Sequence, residues 1–358
     1  MGKINVAIVG VGNCASSLIQ GVHYYRNVKD DEKVPGLMHT VFGEYRIRDI
    51  NFVAAFDVDP RKIGLDLSQA IFTEPNCTVK FCDVPTLGVT VQPGPILDGV
   101  ADHMRKPFGL SEGELEPVDV VEVLKASNAD MLISYLPVGS YKATRFYAEA
   151  ALKAGCAFVN AIPEFIASDS YWAQRFQEAG IPVAGDDIKS QVGATILHRT
   201  LVDLLESRGV KVEETYQLNI GGNTDFLNMV EEARLKSKRI SKTEAVTSLL
   251  PYDIKVRIGP SDYIPFLGDR KICYIHILGR KFGDVPLTID VKLSVEDSPN
   301  SAGIMVDVIR AVKIALDREV GGPLISISAY AFKHPPQQVP DYIARRWVEE
   351  FIKGERLR

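Results

Sequence analysis

No stretch of the 358 residues approaches the ~20 consecutive apolar positions that a membrane-spanning helix requires, so no membrane partner is expected. Cysteine is scarce. Cys14, Cys77, Cys82, Cys156 and Cys273 make an odd set of five in no zinc-site spacing. That excludes a disulfide framework or structural zinc and leaves free thiols in a reducing cytosol as the expectation. The six histidines, His198, His276 and His334 among them, form no metal-like pair. Basic runs are short and the net charge is -5, so no nucleic-acid partner is expected. The densest cluster, Lys236, Lys238, Arg239 and Lys242, is too small for a duplex and large enough for one phosphate group. A G-x-S-x-G elbow and a P-loop are both missing. The first apolar run, Ile4–Val9, enters a glycine turn rather than a cleavage site, so a soluble cytoplasmic protein without a secretory leader is expected.

What is present is an ordinary globular composition, 46 % hydrophobic and 24 % charged, which can bury a full core and suits about two domains. Strands are predicted at Ile4–Val9, 52–57, 131–136, 157–161 and 181–184. Helices are predicted at 16–24, 118–126, 141–153, 169–179 and 191–208. Their alternation argues for an α/β fold with a parallel sheet covered on both faces. Residues 26–49 read as an insertion after the first helix, and 75–117 as loop-rich. After Gly209 the pattern changes. Residues 213–220, 271–278 and 287–295 alternate like half-buried strands, which suggests a second domain on a mixed or antiparallel sheet. Asp297-Ser298-Pro299-Asn300 is expected to cap a helix over 302–318. The last sixty or so residues, helical again near 341–353, are expected to pack back on the first domain.

Gly10-Val11-Gly12-Asn13-Cys14-Ala15 joins the first strand to a helix. Gly10 permits a tight turn, Gly12 a close backbone approach to a pyrophosphate, and Ala15 close packing of helix on strand. Amides from Asn13 and Cys14 onward then face the phosphates. This is a Rossmann-type signature for a doubly wound sheet. An acid is expected ~20 residues later, at the tip of the next strand. Asp57 fits once the 26–49 insertion is allowed for, with Asp59 as the alternative. A carboxylate there accepts ribose hydroxyls and repels a 2′-phosphate, which favours NAD. Ser134, Leu136 and Pro137, on and after a later strand, are further candidate cofactor contacts.

Gly185-Asp186-Asp187-Ile188-Lys189-Ser190-Gln191-Val192-Gly193 also leads a strand into a helix. Ser190, Gln191 and Gly193 would offer a helix entrance to a phosphate. The plainer alternative is Ser190 as an N-cap beside a solvated loop. Asn219-Ile220-Gly221-Gly222-Asn223-Thr224-Asp225 is a turn rich in amide side chains. Lys236-Ser237-Lys238-Arg239-Ile240-Ser241-Lys242 follows, with Ser241 and Glu244 in a capping-box pattern for the next helix. Lys238 and Lys242 could share a cleft or be solvated surface charge. Lys271 and Lys333 leave the same choice open.

Together these segments, with Asp297-Ser298-Pro299-Asn300-Ser301, resemble the myo-inositol-1-phosphate synthase (inositol-3-phosphate synthase) family over nearly the whole chain, and its short bacterial branch most closely. The resemblance implies an NAD-binding Rossmann-type domain from 1–200 plus 298–358. It implies a second, α+β domain over 201–297 for catalysis and homotetramer assembly. The implied reaction is redox-neutral isomerisation of glucose 6-phosphate: oxidation at C5, loss of a C6 proton, aldol closure onto C1, and reduction of C5 by the retained NADH. Matched position by position, Lys238 resembles the lysine at the C5 hydroxyl, and Lys242 a phosphate-binding lysine and proton shuttle. Lys333 resembles the lysine at the C1 carbonyl, and Lys271 a further site lysine. Asp187 and Asp225 resemble acids that orient lysines and nicotinamide, and Asp290 another lysine partner. Ser190, Gln191, Gly193, Asn219, Asn223 and Lys242 are the implied substrate contacts. An ammonium ion or divalent cation is also implied. Longer members read roughly G-D-D-x-K-S-G-Q-T where this chain has Lys189-Ser190-Gln191-Val192-Gly193-Ala194-Thr195, so the small polar helix entrance survives while the identity of the phosphate-binding amides stays open. Gly222 stands where they carry asparagine. The rival readings are a conventional NAD-dependent dehydrogenase of a phosphorylated or amino acid substrate and a non-catalytic NAD sensor.

Overall fold

The computed structural model describes residues 2–110 and 115–358. β1 (Ile4–Val9) is buried at every position but Asn5, as a central parallel strand covered on both faces must be. It turns into α1 (Asn13–Tyr24). The 26–49 insertion folds as a small hairpin, β2 (Val41–Phe42) and β3 (Tyr45–Arg46), before β4 (Ile50–Asp57). α2 (Leu67–Ala70) and β5 (Val91–Pro93) interrupt the long loop-rich stretch, of which 111–114 lie outside the described residues. α3 (Val120–Ala126) starts where the Asp119 carboxylate accepts the amides of Val121 and Glu122. β6 (Met131–Ser134) then leads to α4 (Tyr141–Ala154), which ends on a left-handed Gly155. β7 (Ala157–Asn160), α5 (Ser170–Glu178, capped by Asp169), β8 (Pro182–Ala184) and α6 (Ala194–Ser207) continue the alternation.

The second part begins with β9 (Lys211–Gly221), α7 (Thr224–Asn228) and α8 (Lys236–Thr247). β10 (Lys255–Tyr263), β11 (Arg270–Lys281) and β12 (Val285–Glu296) follow. α9 (Asp297–Asp317), β13 (Gly322–Pro323), α10 (Ile325–Ala331) and α11 (Asp341–Lys353) complete the chain.

Seven strands in the order β13-β8-β7-β6-β1-β4-β5, all parallel, form the large sheet. The strand order reverses at β1, so the C-terminal ends of β1, β4 and β6 meet at the crevice where such sheets bind ligands. α9 runs against α1 and β13 adds the seventh strand, so the last segment does return to this sheet. The four-stranded sheet, order β10-β9-β11-β12, is mixed: β9 and β10 are parallel, the other pairs antiparallel. Val202, Leu205, Val246 and Leu250, from α6 and the α8 region, pack on its inner face against Ile258, Cys273, Ile275 and Ile277.

The structure corrects several sequence expectations. β10 was not foreseen, because Gly259-Pro260 and three charged residues hide its alternation. Ser241 is no cap: it lies inside α8. The helix expected from 191 starts at Ala194 with Gly193 as its N-cap, so Ser190 is not the cap either. α9 begins at Asp297 rather than 302, which puts that carboxylate inside the first turn.

Candidate functional site

One cleft runs from the Gly10–Gly12 turn to the lysines of the second half of the chain. At its first end the wall is mostly backbone. Gly10 donates to the Phe56 carbonyl at 2.9 Å and has φ +90. A Cβ there would sit 2.6 Å from the Tyr135 carbonyl oxygen, so only glycine lets β1 and β6 end this close together. Gly12 is the opposite case: a Cβ would meet nothing within 4 Å. Its absent side chain is open space at the mouth of α1, whose first amides have no helical partners.

Asp57 stands on this wall. Its Oδ2 accepts the Val11 amide at 2.7 Å, and its Oδ1 accepts Val58 and Asp59 amides at 2.7 and 2.9 Å. The alternative, Asp59, is buried and paired with Arg61, off the cleft. Asn13 holds the facing loop, its Oδ1 accepting the amides of Cys77 and Thr78 at 2.7 and 3.1 Å. Lys62 was missed from sequence. It is buried, lines the cleft, and donates to the Val11 carbonyl at 2.8 Å and Asn76 Oδ1 at 2.9 Å. Leu136 and Pro137 line the cleft as expected, together with Tyr135. Ala15 and Ser134 do not; both are buried behind it, where they pack helix against sheet. Cys14 lines the cleft, and burial followed by the nearby Asp269 pushes its thiol up to about 12, so it stays protonated at neutral pH.

The 185–189 turn connects the two ends. Asp186 is fully buried, accepting from Asn160 Nδ2, the amides of Ile166, Ala167 and Ser168, and the Ser168 hydroxyl. Asp187 follows with φ +62, a left-handed conformation that a non-glycine residue keeps only when its surroundings enforce it. They do. Its amide donates to Ile162 O at 3.1 Å, and its carbonyl accepts the Lys333 amide at 2.7 Å. The same backbone pairing brings the Lys333 ammonium to Asp187 Oδ1 at 2.8 Å, while Ser241 donates to Oδ2 at 2.6 Å. Burial pushes the Asp187 carboxyl up, but Lys333 and Lys238 outweigh it and hold the group below its ordinary value.

Three further lysines complete this end. Lys238 donates to Asp225 Oδ2 at 2.7 Å. Lys271 reaches Asp297 at 3.1 Å; burial works against its charge, yet Asp297 leaves it above the usual lysine value. Lys333 is lowered by burial and by the neighbouring Lys238 and Lys271, with Asp187 resisting. Among the described residues Lys242 alone of the four makes no ion pair. It is 3 % exposed, and burial, then Lys271, Lys238 and Lys333, drive its ammonium well below the ordinary value. Four lysines thus face three carboxylates at this end of the cleft. A preorganised field of this kind favours ligands and transition states that develop negative charge.

Several sequence expectations fall outside this wall. Asp290 is on the open face of the four-stranded sheet, paired with His276 at 2.7 Å, with its side chain 72 % exposed. Asp297, read from sequence only as a helix cap, is the lysine partner instead. Asn219 is buried inside the sheet, donating to Gly259 O and accepting from Gln217. Gln191 turns away to the Gly36 carbonyl, and Gly193 caps α6 off the cleft. Lys189, central to the turn's sequence, points under α11 to Asp341. Ser190 and Asn223 do line the cleft. The amides of Gln191 and Val192, expected to meet a phosphate, donate to Asn300 O and Oδ1. Asp187 and Lys333 lie outside 201–297, so the lysine end draws on both parts of the chain.

A dinucleotide fits the first end: an open cradle at Gly12, unpaired helix amides, and an anchored carboxylate at the next strand tip. A divalent cation finds no comparable seat. Among the described residues no three His, Cys, Asp or Glu side chains group to hold a metal, and the three cleft carboxylates above each engage a lysine.

The chain is similar to known proteins along nearly its whole length. The family model described as myo-inositol-1-phosphate synthase matches residues 193–298. An inositol-3-phosphate synthase of Mycolicibacterium smegmatis is 58 % identical over 360 residues, covering 99 % of each chain. One of Mycobacterium tuberculosis is 59 % identical, covering 98 % of this chain and 96 % of the relative. A solved myo-inositol-1-phosphate synthase-related protein of Thermotoga maritima superposes with a TM-score of 0.81 at 27 % identity, covering 98 % of each chain.

Proposed function

Since the chain belongs to the myo-inositol-1-phosphate synthase family, we propose that it converts D-glucose 6-phosphate to 1D-myo-inositol 3-phosphate with NAD used catalytically. The observation that supports this reading best is the single cleft that joins a dinucleotide cradle to four buried or half-buried lysines. NAD, when bound, would supply a hydride acceptor for C5 of the sugar and, once reduced, the donor that returns that hydride. Gly10, Gly12, Asn13, Cys14 and Asp57 would hold it, with Leu136 and Pro137 lining the same cleft.

The side chains of this protein do the rest. Lys238, oriented by Asp225, holds the C5 oxygen and moves its proton. Of the four lysines at this end, Lys242 is the one without a carboxylate partner among the described residues, so it can bind the substrate phosphate and act as base for the C6 proton. Lys333, fixed by Asp187 and Ser241, stabilises the oxyanion formed at C1 on ring closure. Lys271, fixed by Asp297, adds positive charge beside it. Ser190 and Asn223 contact the sugar phosphate.

In this reading NAD binding belongs to 1–200 with 298–358, and 201–297 contributes lysines and assembly. Tyr216, Leu218 and Tyr274 are 41, 37 and 40 % exposed on the open face of the four-stranded sheet, which supports homotetramer formation there. Residence in the cytoplasm belongs to the same proposal.

The deciding assay supplies glucose 6-phosphate and NAD at a small fraction of the substrate concentration. Inositol phosphate should accumulate far beyond the NAD present, without bulk NADH. NADH formed in step with sugar consumption, and no inositol phosphate, would instead identify a conventional dehydrogenase.

A further inference from the structure

Two buried hydroxyls on the cleft wall, those of Tyr135 and Ser301, have no hydrogen-bond partner among the described residues. Ser301 is 5 % exposed and sits in the first turns of α9. It comes four residues after Asp297 and three after Ser298, so all three share one helix face, and all three line the cleft. A helical serine can satisfy itself by bonding back to the carbonyl four residues earlier. Ser301 does not. A buried hydroxyl without a partner is destabilising, and such a group in a binding cleft points to an acceptor that arrives with a ligand.

The surroundings say which acceptor. Asn300 fastens α9 to the 190–193 turn: it accepts the amides of Gln191 and Val192 and donates to the Val192 carbonyl at 2.7 Å. That contact holds Ser301 on the same stretch of wall as Ser190. It also removes the two helix-entrance amides from ligand binding. A phosphate seated here therefore needs other donors. Three lysines of this cleft are matched by three carboxylates, and among the described residues Lys242 has none. A hydroxyl donor on a wall shared with a lysine that lacks an acidic partner suits a phosphate monoester dianion, whose charge would draw a proton onto that lysine.

We propose that Ser301 donates a hydrogen bond to the phosphate of the sugar substrate, in place of the helix-entrance amides that Asn300 occupies. The proposal rests on the sugar-phosphate reading of the lysine end. It is tested with Ser301→Ala in the NAD-saturated enzyme. Ser326→Ala serves as control, since Ser326 carries another buried, partnerless hydroxyl that does not line the cleft. Ser301→Ala should raise KM for glucose 6-phosphate by about 10- to 100-fold, the effect of losing a hydrogen bond to a charged group. Its kcat should stay within about 3-fold, as expected when binding is lost equally from ground and transition states. Calorimetry with inorganic phosphate should show a parallel loss of affinity, while KM for NAD and every Ser326→Ala value stay unchanged. Unchanged phosphate affinity overturns the proposal. So does a defect confined to NAD, which would assign the hydroxyl to the dinucleotide, or an equal defect in Ser326→Ala. If the wild-type protein binds phosphate yet converts no glucose 6-phosphate, the proposed reaction fails while the titration still decides Ser301. Wild-type protein that binds no phosphate refutes Ser301's role directly.

Discussion

The two ends of the cleft are made of different material. The dinucleotide end is backbone: a glycine turn, a row of helix amides, and Asp57 held by three amides. The lysine end is side chains, brought together from the 185–190 turn, α7, α8, β11, α9 and the segment after α10. The first end works by shape, because a pyrophosphate needs close approach and little else. The second works by charge, and three of its four lysines each depend on a carboxylate from a different segment. Shape should therefore respond to added volume, and charge to lost partners, with little exchange between them.

The largest expected effect tests that separation. Lys333→Ala removes the ammonium proposed for the C1 oxyanion and leaves Asp187 buried beside Ser241. We expect kcat to fall by about 10³-fold, the scale for losing a transition-state donor. Calorimetric affinity for NAD should hold within about 2-fold. Asp290→Asn, on the open sheet face, should leave turnover unchanged. A parallel collapse of NAD affinity in Lys333→Ala would show the two ends to be one coupled unit.

A smaller effect sharpens the shape side. Gly12→Ala adds a methyl group that touches nothing in the protein, at an ordinary backbone conformation (φ -95). The melting temperature should not fall, while KM for NAD rises by about 10-fold because the methyl group fills the cradle. Gly10→Ala should lower both cofactor affinity and the melting temperature, since its Cβ meets the Tyr135 carbonyl and its φ is positive. If Gly12→Ala melts early with normal NAD affinity, the space beside Gly12 is not the pyrophosphate seat.

This contrast also explains what the sequence made legible. β1, the glycine turn and Asp57 follow from residue types a few positions apart, and α11 was read to its bounds. The lysine end was not derivable that way. Lys238, Lys242 and Lys333 were placed by resemblance, and their neighbourhood depends on pairing between 186–189 and 331–334 that no local pattern announces. Asp297 looked like a cap because Asp-Ser-Pro-Asn before an apolar run is a capping pattern; its side chain instead turns to Lys271. Asp290 sits on a strand that alternates regularly, and alternation cannot say which face meets a cleft and which meets solvent. Lys62 carried no signal at all, since a lone lysine after a strand is ordinary surface charge until a loop covers it.

Lys242 is where the charge side of the comparison reaches stability. The unfolded chain protonates this lysine below about 10.5, but the folded protein does so only at a much lower pH, because burial and three lysines oppose the charge. Between those two values the unfolded chain binds a proton that the folded one refuses, so stability rises with pH across the window and is eroded as pH falls. Lys242→Met removes the group. The variant should be more stable than wild type at pH 7 by about 1 kcal/mol, and almost inactive, as expected when a strained site group is exchanged for apolar packing. The stability difference should shrink as pH approaches 10.5, read from denaturant melts at several pH values. Saturating inorganic phosphate should shrink it too, because an anion gives the wild-type ammonium the partner it lacks. A difference that stays constant with pH and phosphate would mean that Lys242 is no more perturbed than the three paired lysines, and the special place given to it among them would be lost.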